Sequence, residues 1–157
     1  MQPTIVQRDE QPYVGRREVI TMTEFARVAD HLPTMFGWLG ERGVVVTGPP
    51  FFRYRTIDMS ADLVVEAGIP VSGPVQVDEP TFTATLPAGR YATVSHVGHP
   101  DELVGVTARL LDWAREQGLE WDMTPTPEGE EWGCRLEILM SNPAEEPDMH
   151  KWETVLL

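Results

Sequence analysis

Two short motifs recur along the chain at nearly the same spacing, and this internal repeat constrains the fold more than any other feature. Gly15–Arg16 recurs as Gly89–Arg90 at an offset of 74 positions, and Trp38–Gly43 recurs as Trp113–Gly118 at an offset of 75. Each motif lies at the same point in a predicted order of strand, helix, strand, strand. The 157-residue chain is therefore predicted to be one α+β domain, residues 1–157, made of two βαββ units that cover about residues 1–75 and 76–157.

The duplication also predicts how the two units are arranged. A pseudo-two-fold axis would relate them, with one antiparallel sheet or two abutting half-sheets and the helices on one side. A central ligand cleft is expected at the axis, where both units contribute equivalent strands.

Helices are predicted where apolar residues recur at helical spacing. Thr21–Glu24 has the spacing of a capping box, and the helix after it is expected to resume at Pro33 and to end at Gly43. A further helix is predicted from Pro100 to Gly118. Strands are predicted at Ile5–Val6, Tyr13–Ile20 after a break at Gln11–Pro12, Phe51–Met59, Leu63–Ile69, Thr81–Val97 with a break at Pro87–Gly89, Glu131–Met140 and Lys151–Leu157, and Trp121–Gly129 is predicted to be a loop.

The composition excludes several classes of function. A net charge of −13 and an isoelectric point near 4.6 argue against nucleic acid as a direct partner, because phosphate binding needs a basic surface. A single cysteine, Cys134, gives neither a disulfide nor a cysteine-based metal site, and a buried inert thiol is favoured for it. No apolar run is long enough for a membrane span, and no signal peptide is recognised. A cytoplasmic location is predicted.

The segment Glu131–Met140 carries the strongest indication of a site. Alternation along a strand would place Leu136, Ile138 and Met140 on one side. Arg135, Glu137 and Leu139 would then lie on the other. A carboxylate among large apolar side chains is costly unless it is paired, protonated or waiting for a ligand. We therefore predict a pocket around Glu137.

Other chemistries are not supported. The four histidines lack metal-ligand spacing, and neighbouring side chains on a strand diverge, so Ser95 and His96 do not form a triad. Glycine-rich phosphate-binding patterns are absent. No metal and no cofactor are predicted.

An aromatic box with one central carboxylate suits a flat, lipophilic cation, which the rings would stack on and the carboxylate would neutralise. Tyr54 and Glu137 are predicted to lie on equivalent strands of the two units and to face each other across the axis. For Trp38 and Trp113 a place in the core is equally consistent with the sequence, and Glu153 is a second candidate acid. The predicted ligand-binding residues are Glu137, Tyr54, Phe52, Trp38, Trp113, Trp132, Leu139 and Met35.

Several segments, taken together and in this order, resemble the GyrI-like small-molecule-binding family, whose fold also forms the effector-binding domain of AraC-type and MerR-type regulators. The similar segments are Pro50–Tyr54, Ala67–Val71, Leu86–Tyr91, Leu136–Pro143 and Trp152–Leu156. The resemblance implies a hydrophobic cleft for varied, often cationic aromatic compounds. It also implies a central glutamate at Glu137 and an aromatic residue at Tyr54.

The resemblance leaves three functions open. The first is multidrug binding or sequestration by a stand-alone domain that lacks a helix-turn-helix, as a monomer or homodimer. The second is hydrolysis of cyclopropane-containing, DNA-alkylating natural products, in which Glu137 and Tyr54 would be the catalytic residues. The third is a protein-interaction role, since another branch of the family is known as a gyrase inhibitor. We rank them in that order.

Overall fold

The computed structural model describes residues 3–21, 23–58, 62–73, 75–77, 81–99, 102–120, 123–127 and 129–140, and the backbone of 153–156. The helices are α1 (Phe25–Ala29), α2 (His31–Glu41) and α3 (Leu103–Glu116). The strands are β1 (Thr4–Arg8), β2 (Gln11–Ile20), β3 (Phe51–Ile57), β4 (Leu63–Pro70), β5 (Phe82–Leu86), β6 (Gly89–Val97), β7 (Met123–Thr126), β8 (Gly129–Trp132), β9 (Leu136–Leu139) and β10 (Glu153–Leu156).

The order of the strands confirms the predicted duplication and its pseudo-two-fold symmetry. Within the described chain, the main path of the sheet runs β1-β6-β10-β9-β3-β4-β2-β5, and its neighbouring pairs are antiparallel. This order reads the same in both directions when each strand of the first unit is exchanged with its counterpart in the second. The axis therefore lies between β3 and β9, the last pair that an exchange of units would interconvert.

The first strand of each unit pairs with the other unit, which the sequence pattern did not indicate. β1 pairs with β6 of the second unit, and β5 pairs with β2 of the first. This exchange ties the two units together at both edges of the sheet. A sequence repeat reports equivalent positions but carries no information about which copy a strand will pair with.

Two predicted boundaries in the second unit are wrong. The expected strand Glu131–Met140 is divided by a bend, so that its first part belongs to β8 and its second part is β9. The expected loop Trp121–Gly129 contains β7, which forms a hairpin with β8 beside the end of β3. The bend at Gly133–Arg135 frees β9 to pair with β10 and β3 at once.

The helices cover one face of the sheet, as predicted. α1 and α2 supply Val28, Met35 and Leu39 to a buried cluster with the first unit's strands, and α3 packs Val106 and Leu110 on β6. The opposite face has a separate apolar cluster, whose members include Tyr13, Phe51, Leu86, Tyr91 and Leu136. Because each half-sheet has its own helix, the strands at the axis lie beneath a gap between α1 and α3.

The ends of the helices follow the expected local rules. The side chain of Glu24 accepts a hydrogen bond from the Thr21 backbone N–H at 2.8 Å, which is one half of the predicted capping box. Gly43 and Gly118 have φ values of 66° and 73° just after α2 and α3, a conformation that glycine adopts without strain. Pro100, the predicted first residue of α3, lies outside the described residues. None of the described helices is long and apolar enough to cross a membrane.

Candidate functional site

The gap between the helices is a cleft whose floor is the central strand pair. Phe52 of β3 lies directly opposite Glu137 of β9 in the register of the sheet. Tyr54 follows on the same side of β3, because alternate residues of a strand share a face. The cleft has a volume of about 770 Å³, which is large enough for a drug-sized ligand.

Both helices contribute apolar walls to this cleft. The described lining residues from the helices are Phe25 and Ala26 of α1, and Leu103, Val104, Thr107, Ala108 and Leu111 of α3. On α3 these positions lie beside the residues that pack on the sheet, so one helix both fills the core and walls the cleft. The prediction of a cleft between the two units is thereby confirmed as a feature of the fold.

A second chamber of about 640 Å³ adjoins the first. Its further walls come from the turn before β6, from the end of α3 and from Trp132 and Cys134. The side chains shared by both chambers are Tyr54, Thr107, Leu111, Arg135 and Glu137. Glu137 and Arg135 therefore stand at the junction and are accessible to a ligand in either chamber.

Glu137 is the central carboxyl of the site, and its surroundings disfavour its charge. Burial raises its pKa, although the hydrogen bond from Tyr54 and the positive charge of Arg135 both act to lower it. The pKa of Tyr54 is raised well above its usual range by burial and by the neighbouring carboxylate, so its hydroxyl remains a donor at physiological pH. The site thus holds a carboxylate that is oriented but incompletely compensated.

Arg135 provides the only other charge on the floor of the cleft among the described residues. Its guanidinium carbon lies 4.7 Å from the centroid of the Trp132 ring and 5.7 Å from that of Tyr54. Burial lowers its pKa, while Tyr54, Glu137 and Glu130 act in the opposite direction. A guanidinium remains protonated under such conditions, so Arg135 is a buried cation held against aromatic faces.

Phe25 is an aromatic wall that sequence reasoning assigned only to a helix. Its ring stacks on Phe52 at a centroid distance of 6.2 Å and meets Tyr54 edge to face at 6.1 Å. It is the first residue of α1, one position after Glu24, which begins the helix. A large aromatic residue at the first position of a helix that opens onto the sheet is the signal that could have identified it.

The structure brings together four of the predicted ligand-binding residues, and it places the other four elsewhere. Glu137, Tyr54, Phe52 and Trp132 line the two chambers. The remaining four are absent from the described lining: Met35 is 2% exposed in the core, Leu139 and Trp38 pack against that core, and Trp113 packs on the α3 cluster.

Trp38 also has a contact of its own outside the cleft. The Arg42 guanidinium carbon lies 4.3 Å from the centroid of the Trp38 ring. The alternative that the repeated tryptophans fill the core is the one that fits their positions. The side chain of Glu153, the second candidate acid, lies outside the described residues.

A second buried carboxylate, Glu66, lies on the opposite face of the sheet and is fully compensated. The Tyr13 hydroxyl donates to Glu66 Oε1, and Arg17 Nη2 donates to Glu66 Oε2 at 2.8 Å. Arg53 Nη1 donates to the Tyr13 hydroxyl at 3.0 Å. Glu66 is 0% and Arg53 is 5% exposed. This closed network contrasts with Glu137, which faces open space.

Metal ligation has no support in the described part of the chain, where no three His, Cys, Asp or Glu side chains are grouped closely enough to hold an ion. Cys134 packs beside Tyr91 on the Leu136 side of the sheet, and burial raises the pKa of its thiol. A raised thiol pKa disfavours the reactive thiolate.

Comparison with known proteins agrees with this geometry. The family model of the GyrI-like small molecule binding domain matches residues 1–156. No protein with a curated description is detectably similar in sequence. Among solved structures, the EcmrR C-terminal domain superposes with a TM-score of 0.78 at 17% identity, covering 99% of this chain and 94% of that one. In the EcmrR–DNA complex the chain spans 55% of the length of EcmrR.

Two further structures share the fold at lower similarity. A hydrolase from Listeria innocua has a TM-score of 0.64 at 15% identity, covering 99% of this chain and 89% of that one. SAV2435 bound to tetraphenylphosphonium has a TM-score of 0.53 at 13% identity, covering 99% and 92% respectively. These identities establish a common fold and no more.

Proposed function

The chain belongs to the family of GyrI-like small molecule binding domains, and from that membership we propose that it binds lipophilic aromatic compounds, cations in particular, above Glu137. The observation that carries this proposal is the position of Glu137. Its carboxyl lies at the junction of two apolar chambers, where burial raises its pKa despite Arg135 and Tyr54. A second cation in the cleft would stabilise the ionised form.

The proposed ligand should be lipophilic as well as charged. A small hydrated cation would lose its water in the cleft, whereas an aromatic cation with delocalised or shielded charge has little hydration to lose. The rings of Phe25, Phe52 and Tyr54 offer faces for stacking and cation–π contact. SAV2435, with the same fold, is bound to tetraphenylphosphonium, an aromatic cation of this kind, and that ion is a suitable probe.

The proposal predicts that cation affinity rises with pH. Burial raises the pKa of Glu137 above its ordinary 4.5, and a bound cation would lower it again, so that binding releases a proton. Affinity for tetraphenylphosphonium should therefore increase by up to about tenfold per pH unit from roughly pH 4.5 to the raised pKa, and then level off. Tyr54 and Arg135 keep their protons throughout this range.

Isothermal titration calorimetry in two buffers of different ionisation enthalpy would measure both the affinity and the released proton. A Kd that is constant between about pH 5 and pH 8, with no proton release, would mean that Glu137 does not sense the ligand's charge.

A second candidate function, hydrolysis of strained cyclopropane rings, is favoured by the hydrogen bond between Tyr54 and Glu137. A carboxyl with a raised pKa that is oriented by a phenol has the properties of a general base for water. Mass spectrometry of a cyclopropane-containing alkylator incubated with the protein distinguishes the two functions. Catalytic addition of water that is lost in Glu137→Gln indicates the hydrolase, and unaltered, retained compound indicates binding alone.

A further inference from the structure

The ring faces best placed to receive a cation are already in contact with one. The Arg135 guanidinium lies within cation–π range of both Trp132 and Tyr54, at 4.7 and 5.7 Å from the ring centroids. Trp132 is 9% and Tyr54 is 7% exposed. A ligand cation that used these two faces would have to replace the guanidinium there.

The backbone around Arg135 is fixed, so any replacement would involve its side chain alone. The Tyr54 backbone N–H donates to the Arg135 carbonyl at 2.9 Å, which extends the β3–β9 pairing by one residue. Glu137 follows two positions later, and both side chains line both chambers. The guanidinium and the carboxylate are thus held at neighbouring points of one wall.

The guanidinium is held by ring faces and long-range charge, and it has somewhere to go. No salt bridge within 4.0 Å joins Arg135 to a carboxylate of the described residues, where Arg17, by contrast, is bound to Glu66 at 2.8 Å. Glu130, at the rim of the first chamber, exerts an electrostatic attraction on Arg135. A guanidinium displaced from the ring faces would move toward this exposed carboxylate.

We propose that Arg135 is an internal competitor for the cation subsite and sets the charge selectivity of the cleft. While its guanidinium covers Trp132 and Tyr54 beside Glu137, the cleft is balanced in charge and accepts neutral or anionic aromatic ligands as well as cations. This inference rests on the proposed binding function, and it assigns the residue that limits preference for cations.

Two probes of nearly the same shape and opposite charge test the selectivity. Tetraphenylphosphonium and tetraphenylborate would be titrated into the full chain carrying Arg135→Gln, at about pH 8 so that losing the nearby cation does not simply leave Glu137 protonated. Arg115→Gln is the matched control: it makes the same change in net charge on α3, at a side chain that is 80% exposed. Melting temperatures of all variants would verify folding.

Arg135→Gln is expected to tighten tetraphenylphosphonium roughly tenfold and to weaken tetraphenylborate roughly tenfold, with Arg115→Gln unchanged. Arg135→Lys, which keeps the charge without the planar face, should retain borate binding and shift selectivity less. Equal weakening of both ions in Arg135→Gln, or an unchanged ratio, overturns the inference and leaves the proposed function standing. If neither ion binds to any variant, the proposed function itself fails and the inference with it.

Discussion

Replacement of Glu66 by alanine is expected to lower the free energy of unfolding by about 3–5 kcal/mol, because it breaks a buried charge network by removing one partner. Glu66 is 0% exposed and faces Arg17 and Arg53 across its two neighbouring strands. Without it, the buried guanidinium of Arg53 and the Tyr13 hydroxyl have no carboxylate in this network. The main cost is the uncompensated charge that remains.

Urea denaturation monitored by tryptophan fluorescence would measure the loss. Asp112→Ala is the control, since its ion pair with Arg115 is exposed at the surface and should contribute less than about 0.5 kcal/mol. Glu66→Gln, which keeps an acceptor for Tyr13, should fall between the two. A loss below about 1 kcal/mol in Glu66→Ala would show that the network is not a determinant of stability.

Glu137→Gln is expected to weaken tetraphenylphosphonium binding by about 1–3 kcal/mol, which corresponds to roughly 5- to 150-fold in Kd. The substitution removes the charge that pairs with the cation and keeps the shape and an acceptor for Tyr54. Binding of a neutral aromatic compound should change little. Glu131→Gln, an exposed position on β8, is the control for the change in net charge.

The same variant should be more stable at neutral pH, in contrast to Glu66→Ala. The pKa of Glu137 is higher in the folded protein than its ordinary value, so the folded state holds the proton longer than the unfolded state. Stability therefore falls as pH rises through the interval between these two pKa values, and it stays lower above that interval. Removing the ionisable group is expected to restore on the order of 1 kcal/mol at neutral pH. A destabilised Glu137→Gln would indicate a structural role.

The sequence predicted the parts of the fold that depend on local pattern and on the repeat. Equivalent motifs at Gly15 and Gly89, and at Trp38 and Trp113, were sufficient to place two βαββ units about an axis. The exchange of β1 and β5 between the units and the bend before β9 were not predicted. Both depend on which strands can pair in three dimensions, and a one-dimensional pattern does not record that.

For the site, sequence reasoning identified the central carboxyl but not its full surroundings. Glu66 and Glu137 give the same signal, a glutamate within an apolar strand, yet one is enclosed by Arg17 and Tyr13 and the other faces a cleft. Only tertiary structure distinguishes them. Met35 was placed in the pocket because it is large and apolar, and such residues more often fill a core, as it does here.

The proposed binding of aromatic cations above Glu137 is tested most directly by locating such a cation in the protein. Crystals grown with tetraphenylarsonium, the arsenic counterpart of tetraphenylphosphonium, would reveal the arsenic position by its anomalous scattering. We predict one arsenic site in the cleft between α1 and α3, with its phenyl groups against Phe25, Phe52 and Tyr54, within about 6 Å of their ring centroids. An arsenic site confined to the outer surface, with the cleft empty, would contradict the proposal.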